Sequence, residues 1–239
     1  MGECWGEGTA TFMILGNTCT RSCGFCNVKT GRPDEVDWKE PIKVAKSIQI
    51  MGIKHAVVTS VDRDDLKDNG SILWRETIIA IRRLNPGTTL ETLIPDFKGD
   101  ETSLDRIIDV EPEVISHNLE TVRRLTKEVR IQAKYDRSLT VLKYLKDKGV
   151  KRTKSGIMLG LGEQKEEVIE SLEDLREVGV DVLTIGQYLQ PSKKHLSVKS
   201  FIEPRVFDDY KKIGEALGFR HVESGPLVRS SYKAQKHIT

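Results

Sequence analysis

The sequence holds 239 residues, with 38 Lys and Arg against 36 Asp and Glu and a net charge of +2. So close a balance argues against the basic excess of an extended nucleic-acid surface, while leaving room for a local basic patch that meets an acidic partner. No apolar run approaches the ~20 residues that span a bilayer, no leader-like stretch opens the chain, and the length suits one α/β domain.

From the N-terminus, residues 11–15 form a short apolar run that ends at Gly16-Asn17, a strand giving way to a loop. Gly31-Arg32-Pro33-Asp34 marks a turn. Pro41 then suits the first turn of a helix, with Ile42, Ala45, Ile48 and Met51 on one stripe and Gly52 as its stop. Residues 55–59 read as a buried strand, followed by a polar loop at 60–65 and a helix over 71–84. A strand at 89–94, a short helix near 103–109 and a strand at 113–116 come next, the last running into His117-Asn118-Leu119-Glu120. Ser138 is placed as the cap of a helix with Leu139, Leu142 and Leu145 facing inward and Gly149 ending it. A strand at 155–159, the loop Gly160-Leu161-Gly162-Glu163, a helix bearing Val168, Leu172 and Leu175, and a sixth strand at 181–185 continue the alternation. After Gly186-Gln187-Tyr188-Leu189-Gln190-Pro191 the pattern changes to a loop, a helix near 206–217 and an irregular tail.

Strands separated by helices imply parallel pairing with right-handed crossovers. Six such strands fall short of the eight that close a barrel. The expected fold is therefore α/β, an open partial six-stranded parallel βα barrel over 11–190, with an N-terminal extension at 1–10 and a C-terminal one at 191–239, all in a single domain.

Three of the four cysteines fall in one stretch, Cys19-Thr20-Arg21-Ser22-Cys23-Gly24-Phe25-Cys26. Thiolates this close can converge on one metal centre. A structural zinc site wants four ligands in a closed tetrahedron, usually as two pairs well apart in sequence. Here there is one tight triplet, and Cys4 is the nearest further thiol. A four-iron cluster held by three thiolates would leave one iron open to a small molecule, which points to chemistry rather than electron storage. A disulfide framework is the least suited to a chain of this kind. Iron–sulfur and zinc both stay open on spacing alone.

Three cysteines so spaced, with an aromatic residue before the last, resemble the signature of the radical S-adenosylmethionine (SAM) enzymes. With Gly2-Glu3-Cys4-Trp5-Gly6-Glu7-Gly8-Thr9-Ala10-Thr11-Phe12-Met13 ahead of the triplet and Arg229-Ser230-Ser231-Tyr232 near the end, nearly the whole chain is similar to the lipoyl synthases. The resemblance implies that Cys19, Cys23 and Cys26 hold a [4Fe-4S] cluster whose fourth iron takes the amino and carboxylate groups of SAM. One electron then yields a 5′-deoxyadenosyl radical.

Ligands of parallel α/β folds gather at the C-terminal ends of the strands, so the post-strand loops supply the other candidates. The loop holding Asp62, Asp64 and Asp65 offers carboxylates to an amine or ribose, or is a solvated turn. Asn118 and Glu120 follow the fourth strand, with ribose hydroxyls as the ligand of Glu120 and helix capping as the plainer role. Lys154 and Ser155 enter the fifth strand, where Lys154 would neutralise the methionine carboxylate. Gln187 would meet the adenine edge or merely satisfy backbone. Phe25 would shield the cluster, touch adenine or simply pack in the core. Gly160 and Gly162 are turn residues that let backbone approach a ligand. They form no phosphate loop, because no Gly-Lys-Ser/Thr follows.

The resemblance further implies an auxiliary [4Fe-4S] cluster, held by three N-terminal cysteines and a serine. Cys4 matches the last of those cysteines and Ser230 the serine, while the two preceding cysteines have no counterpart, as in an N-terminally short form. A serine oxygen is a harder, less typical iron ligand than thiolate, which suits a cluster that must be opened and consumed. The implied reaction inserts two sulfur atoms, at C6 and C8, into an octanoyl chain on a lysine of a lipoyl carrier domain. The implied partners are that carrier, met by Arg21, Arg123, Arg124, Lys193 or Lys194, and a low-potential electron donor. The expected protein is a monomer of the cytoplasm or an organelle matrix, binding neither nucleic acid nor membrane. Two rivals remain: a radical SAM enzyme without an auxiliary cluster, and a zinc-stabilised α/β binding module.

Overall fold

The computed structural model describes residues 6–238. Cys4 and the rest of the 1–5 stretch lie outside the described residues. The chain forms a seven-stranded parallel sheet with helices between the strands, so the α/β parallel fold is as expected, with one strand more. Two compact units carry it. The first comprises the chain up to Arg21, Val28–Ser116 and the residues from Lys233 on. The second comprises Ser22–Asn27 and His117–Tyr232.

In the first unit, β1 (Thr9–Ile14) pairs with β4 (His55–Ser60), β4 with β5 (Thr89–Leu93), and β5 with β6 (Val114–Ser116), all parallel. Ala56, Val57 and Val58 are buried, the near-continuous apolar run of a strand covered on both faces. α1 (Glu40–Met51) starts with Pro41 in its first turn and ends on Gly52 in the left-handed region at φ 62°, which returns its N–H to the carbonyls of Ile48 and Gln49. α2 (Ser71–Leu84) buries Leu73, Trp74, Ile78 and Ile81 on one stripe. α3 (Glu101–Ile108) is capped by Asp100, whose carboxylate accepts the Ser103 N–H at 2.9 Å. A separate two-residue ribbon pairs β2 (Thr18–Cys19) with β3 (Lys29–Thr30).

In the second unit, β7 (Thr153–Leu159) pairs with β8 (Val182–Gln187) and β8 with β9 (His221–Ser224). Its helices are the single turn α4 (Thr126–Val129), α5 (Tyr135–Asp147), α6 (Lys165–Glu177) and α7 (Pro204–Ala216). Leu142, Ile157, Leu172, Leu183, Ile185 and Phe207 form the core they enclose.

Two expectations change. β9 replaces part of the irregular tail. Among its four residues only Val222 is buried, which leaves no apolar run to read. Ser138 is not a cap. α5 begins at Tyr135, a buried residue, and the Lys134 carbonyl already accepts the Ser138 N–H. The Ser138 hydroxyl instead meets His117 Nε2 at 2.8 Å and Arg130 Nη1 at 3.3 Å.

Candidate functional site

β2 and β3 bracket the cysteine stretch. The Gly31 N–H donates to the Cys19 carbonyl at 3.0 Å, and the Thr30 hydroxyl to the Arg21 carbonyl at 3.1 Å. Cys19 Sγ receives the N–H of Arg21 at 3.4 Å and that of Asp62 at 3.3 Å, and lies 3.7 Å from the Asp62 carboxylate.

Arg21 is buried and meets three carboxylates: Asp62 at 3.3 Å, Asp64 at 2.7 Å and Asp96 at 2.7 Å. Burial opposes its charge, but hydrogen bonds to Asp64 and Asp96 and the charge of Asp62 outweigh that and raise its pKa. The same contact holds Asp64 below the usual carboxylate range, against the upward push of burial. Asp65 is lowered chiefly by its hydrogen bond from Arg63, at 2.9 Å. Each of the three carboxylates of the 60–65 loop is thus engaged by an arginine. Two of them neutralise the arginine inside the cysteine stretch. Nothing in the sequence pattern singles out Asp96, although Pro95-Asp96 follows β5 in the same post-strand position as the other candidate loops.

The second half of the stretch is a tight turn. The Cys26 N–H donates to the Cys23 carbonyl at 3.1 Å. Gly24 is pinned on both sides, its N–H to the Val129 carbonyl at 2.9 Å and its carbonyl to the Leu196 N–H at 3.0 Å. A Cβ there would come within 2.8 Å of the Leu196 side chain, so only glycine fits without a shift. Ser22 and Gln132 exchange two hydrogen bonds of 3.1 Å. Phe25 packs against the apolar core of its unit, the plainest of its expected roles. All three cysteines of the stretch are half-buried. Three thiols, one of them held by two N–H groups, are the donor chemistry that iron–sulfur clusters take.

After β6, Glu120 runs alongside β7. Its N–H donates to the Gly156 carbonyl at 2.9 Å and its carbonyl accepts the Met158 N–H at 2.8 Å. Its φ of 65° is in the left-handed region, strained for a glutamate. Burial raises its carboxyl pKa, against the charge of Arg130 and a 3.0 Å hydrogen bond from Asn118. The other amide atom of Asn118, Oδ1, is buried with no hydrogen-bond partner among the described residues. A side chain on Gly156 would overlap Thr184, so this floor is kept bare.

Lys154 is fully buried and donates to the Ser230 carbonyl. Ser155 Oγ accepts the Leu119 N–H at 3.2 Å and so holds the Asn118–Glu120 turn. Gln187 donates to the carbonyls of Tyr188 and Ser200 at 3.0 and 3.1 Å and accepts the Ile202 N–H at 2.9 Å, a backbone staple. Ser230 lies in a turn closed by the Tyr232 N–H to the Arg229 carbonyl at 2.8 Å. Gly186 lets this segment approach, since a Cβ there would overlap the Val228 carbonyl. Gly160 and Gly162, both at φ 104°, are turn glycines, and a Cβ on Gly160 would overlap Gln187.

Of the basic residues expected to face a carrier, Arg21 is buried. Arg123 pairs with Asp136 and Asp174, and Arg124 with Glu167. Lys193 and Lys194 are exposed. Among the described residues no helix is long and apolar enough to cross a membrane.

A model of the radical SAM superfamily matches residues 13–186. The chain is 78% identical over 238 residues to the lipoyl synthase of Christiangramia forsetii, covering all of this chain and 81% of that one. It is 76% identical to the lipoyl synthase of Flavobacterium johnsoniae, with 100% and 83% covered, and 75% identical to the mitochondrial lipoyl synthase of Nematostella vectensis, with 100% and 82% covered. Among solved structures it resembles Streptococcus suis SuiB bound to the precursor peptide SuiA, with a TM-score of 0.72 at 14% identity over 95% of this chain and 51% of that one. Coproporphyrinogen III oxidase from Escherichia coli, described as a radical SAM enzyme, gives 0.64 at 11% identity over 88% and 53%. At such identities these two likenesses concern the fold alone.

Proposed function

Because the chain belongs to the lipoyl synthases of the radical SAM superfamily, we propose that it inserts two sulfur atoms, at C6 and C8, into an octanoyl chain carried on a lysine of a lipoyl carrier domain. The observation that carries this is the 78% identity over the whole chain. The family's cofactors are a [4Fe-4S] cluster and SAM, and Cys19, Cys23 and Cys26 would hold the cluster. Bound together, the two supply the radical that removes hydrogen from an unactivated carbon.

The chain's own residues divide the remaining work. Arg21 fixes the first half of the cysteine stretch, and its three carboxylates leave this neighbourhood net negative, which suits a cationic sulfonium. Asp62 has acceptor capacity beyond Arg21 for the cofactor's amine. The unpartnered Asn118 Oδ1 and the carboxylate of Glu120 are acceptors for amine or ribose donors. Ser155 supports that turn from behind. Lys154 and Gln187 have backbone roles besides the methionine carboxylate and adenine edge proposed for them. Lys154 holds the Arg229–Tyr232 motif, and Gln187 the 200–202 backbone.

Ser230, with Cys4, is our proposed ligand pair from this chain for an auxiliary [4Fe-4S] cluster that donates the sulfur. Lys193 and Lys194 are the proposed contacts for an acidic carrier. We assign the protein to the cytoplasm or an organelle matrix as a monomer served by a low-potential electron donor.

The test is anaerobic reconstitution with iron and sulfide, then turnover of an octanoylated carrier domain with SAM and dithionite, read by mass spectrometry. Lipoyl product with 5′-deoxyadenosine supports the reading. 5′-Deoxyadenosine without sulfur insertion supports the rival radical SAM enzyme lacking an auxiliary cluster. Zinc in place of iron and sulfide supports the binding module.

A further inference from the structure

The loop after β8 touches the cysteine turn in three ways. The Leu196 N–H donates to the Gly24 carbonyl at 3.0 Å, and the Leu196 side chain fills the space a Cβ on Gly24 would need. His195 Nε2 lies 3.1 Å from the Cys26 carbonyl. A carbonyl can only accept, so Nε2 carries the proton, and Nδ1 faces the Ser192 hydroxyl at 2.8 Å. The loop is braced from behind: the Tyr188 hydroxyl donates to the Leu196 carbonyl at 2.7 Å and Gln190 Nε2 to the His195 carbonyl at 3.0 Å.

We infer that His195 is a positioning residue for the cluster, acting through the Cys26 carbonyl, with Ser192 orienting its ring and Leu196 seating the turn at Gly24. This rests on the reading above that Cys26 is a cluster ligand. The peptide groups flanking Cys26 decide where its Sγ points. On the N-terminal side the Cys26 N–H is fixed by the Cys23 carbonyl, and on the C-terminal side the Cys26 carbonyl is fixed by His195. The imidazole N–H also adds a positive dipole end beside the cluster, and nearby hydrogen bonds and solvent access are among the terms that set a cluster's potential. Without that N–H, the Cys26 carbonyl would lose its donor, and a cluster held by Cys26 would be harder to reduce.

The experiment uses the reconstituted full chain, with electron paramagnetic resonance of the reduced cluster with and without SAM, a redox titration, and iron and sulfide counts. His195→Ala is expected to shift the midpoint potential downward and broaden the SAM-bound spectrum, and Ser192→Ala to do so more weakly. His195→Gln, whose amide N–H can reach the same carbonyl, should restore the wild-type spectrum. Gly24→Ala should lose cluster, and Gly24→Ala with Leu196→Ala should regain it, which keeps the idea testable if His195→Ala folds poorly. A His195→Ala protein with the wild-type potential and spectrum would overturn the positioning role even if its thermal stability fell. A wild-type chain that assembles no cluster would overturn both this inference and the functional reading beneath it.

Discussion

The guanidinium of Arg21 lies 2.7 Å from the carboxylate of Asp96, both buried and 75 residues apart in sequence. Asp62 and Asp64 complete its surroundings, so one cation serves three anions. Arg21→Met leaves those carboxylates facing one another, and breaking a buried pair from one side costs about 3–5 kcal/mol. Asp96→Asn leaves Arg21 with two partners and should cost clearly less. Urea unfolding at neutral pH measures both, and equal losses would show that Asp96 alone holds the arginine.

The same cluster predicts how stability follows pH. Asp64 and Asp65 are held below the usual carboxylate range in the folded chain. Their contribution is complete above the ordinary value of about 4 and is lost as pH falls through the lower folded values. In Arg21→Met the sign reverses: crowded carboxylates without a cation take up protons more readily, so that variant gains stability as pH falls from neutral. Thermal unfolding of the two proteins across the acid range should therefore converge. Parallel curves would mean that Arg21 does not control the carboxyls it meets, Asp64 among them; Asp65 is held by Arg63 in both proteins.

Glu120 is the opposite case. Burial raises its pKa, so its effect on stability is most favourable below the unfolded value and declines as pH rises through the folded one. Glu120→Gln keeps the shape and removes the buried charge. It should be as stable as the wild type, or more so, at neutral pH, with the difference vanishing in acid. If Glu120 binds a cofactor hydroxyl or amine, the same variant should bind SAM about tenfold more weakly, the loss of one charge-assisted hydrogen bond of roughly 1.5 kcal/mol. Calorimetric titration with SAM separates the two effects, and unchanged affinity would remove Glu120 from the cofactor's contacts.

Lys193 and Lys194 lie exposed in the loop that also carries His195. Replacing both with Ala should raise KM for an octanoylated carrier domain while leaving turnover of a short octanoyl-lysine peptide unchanged. The defect should shrink at high salt, where screening already weakens the wild-type encounter. An equal loss on both substrates would place the lysines at the chemistry rather than at the docking surface.

The βα alternation was readable because buried parallel strands such as the one holding Val57 and Val58 are apolar runs that length and flanking turns distinguish from helices. β9 carried no such run. The cysteine stretch was legible as a metal motif from spacing alone, but its supports were not. That Arg21 meets Asp96, or that His195 meets the Cys26 carbonyl, depends on folding partners 75 and 169 residues away. The post-strand rule pointed to Lys154, Ser155 and Gln187, which lie within β7 and at the end of β8 rather than in loops. It could not say whether each polar group faces ligand or backbone, because either satisfies the same donors and acceptors.

Gly186 offers the sharpest test of the C-terminal motif. A methyl group there would overlap the Val228 carbonyl, two residues before Ser230, whose own carbonyl Lys154 holds. Backbone cannot swing aside as a side chain tip can, so Gly186→Ala must displace the 228–230 segment and loosen the hydrogen bond from Lys154 to the Ser230 carbonyl, at a cost of about 1–3 kcal/mol. The cysteine stretch is not part of this contact, so cleavage of SAM to 5′-deoxyadenosine should continue. Sulfur insertion should fall several-fold, because the displaced residue is the proposed oxygen ligand of the sulfur-donating cluster. A variant that keeps the wild-type ratio of lipoyl product to 5′-deoxyadenosine would show that Ser230 does not serve the sulfur source.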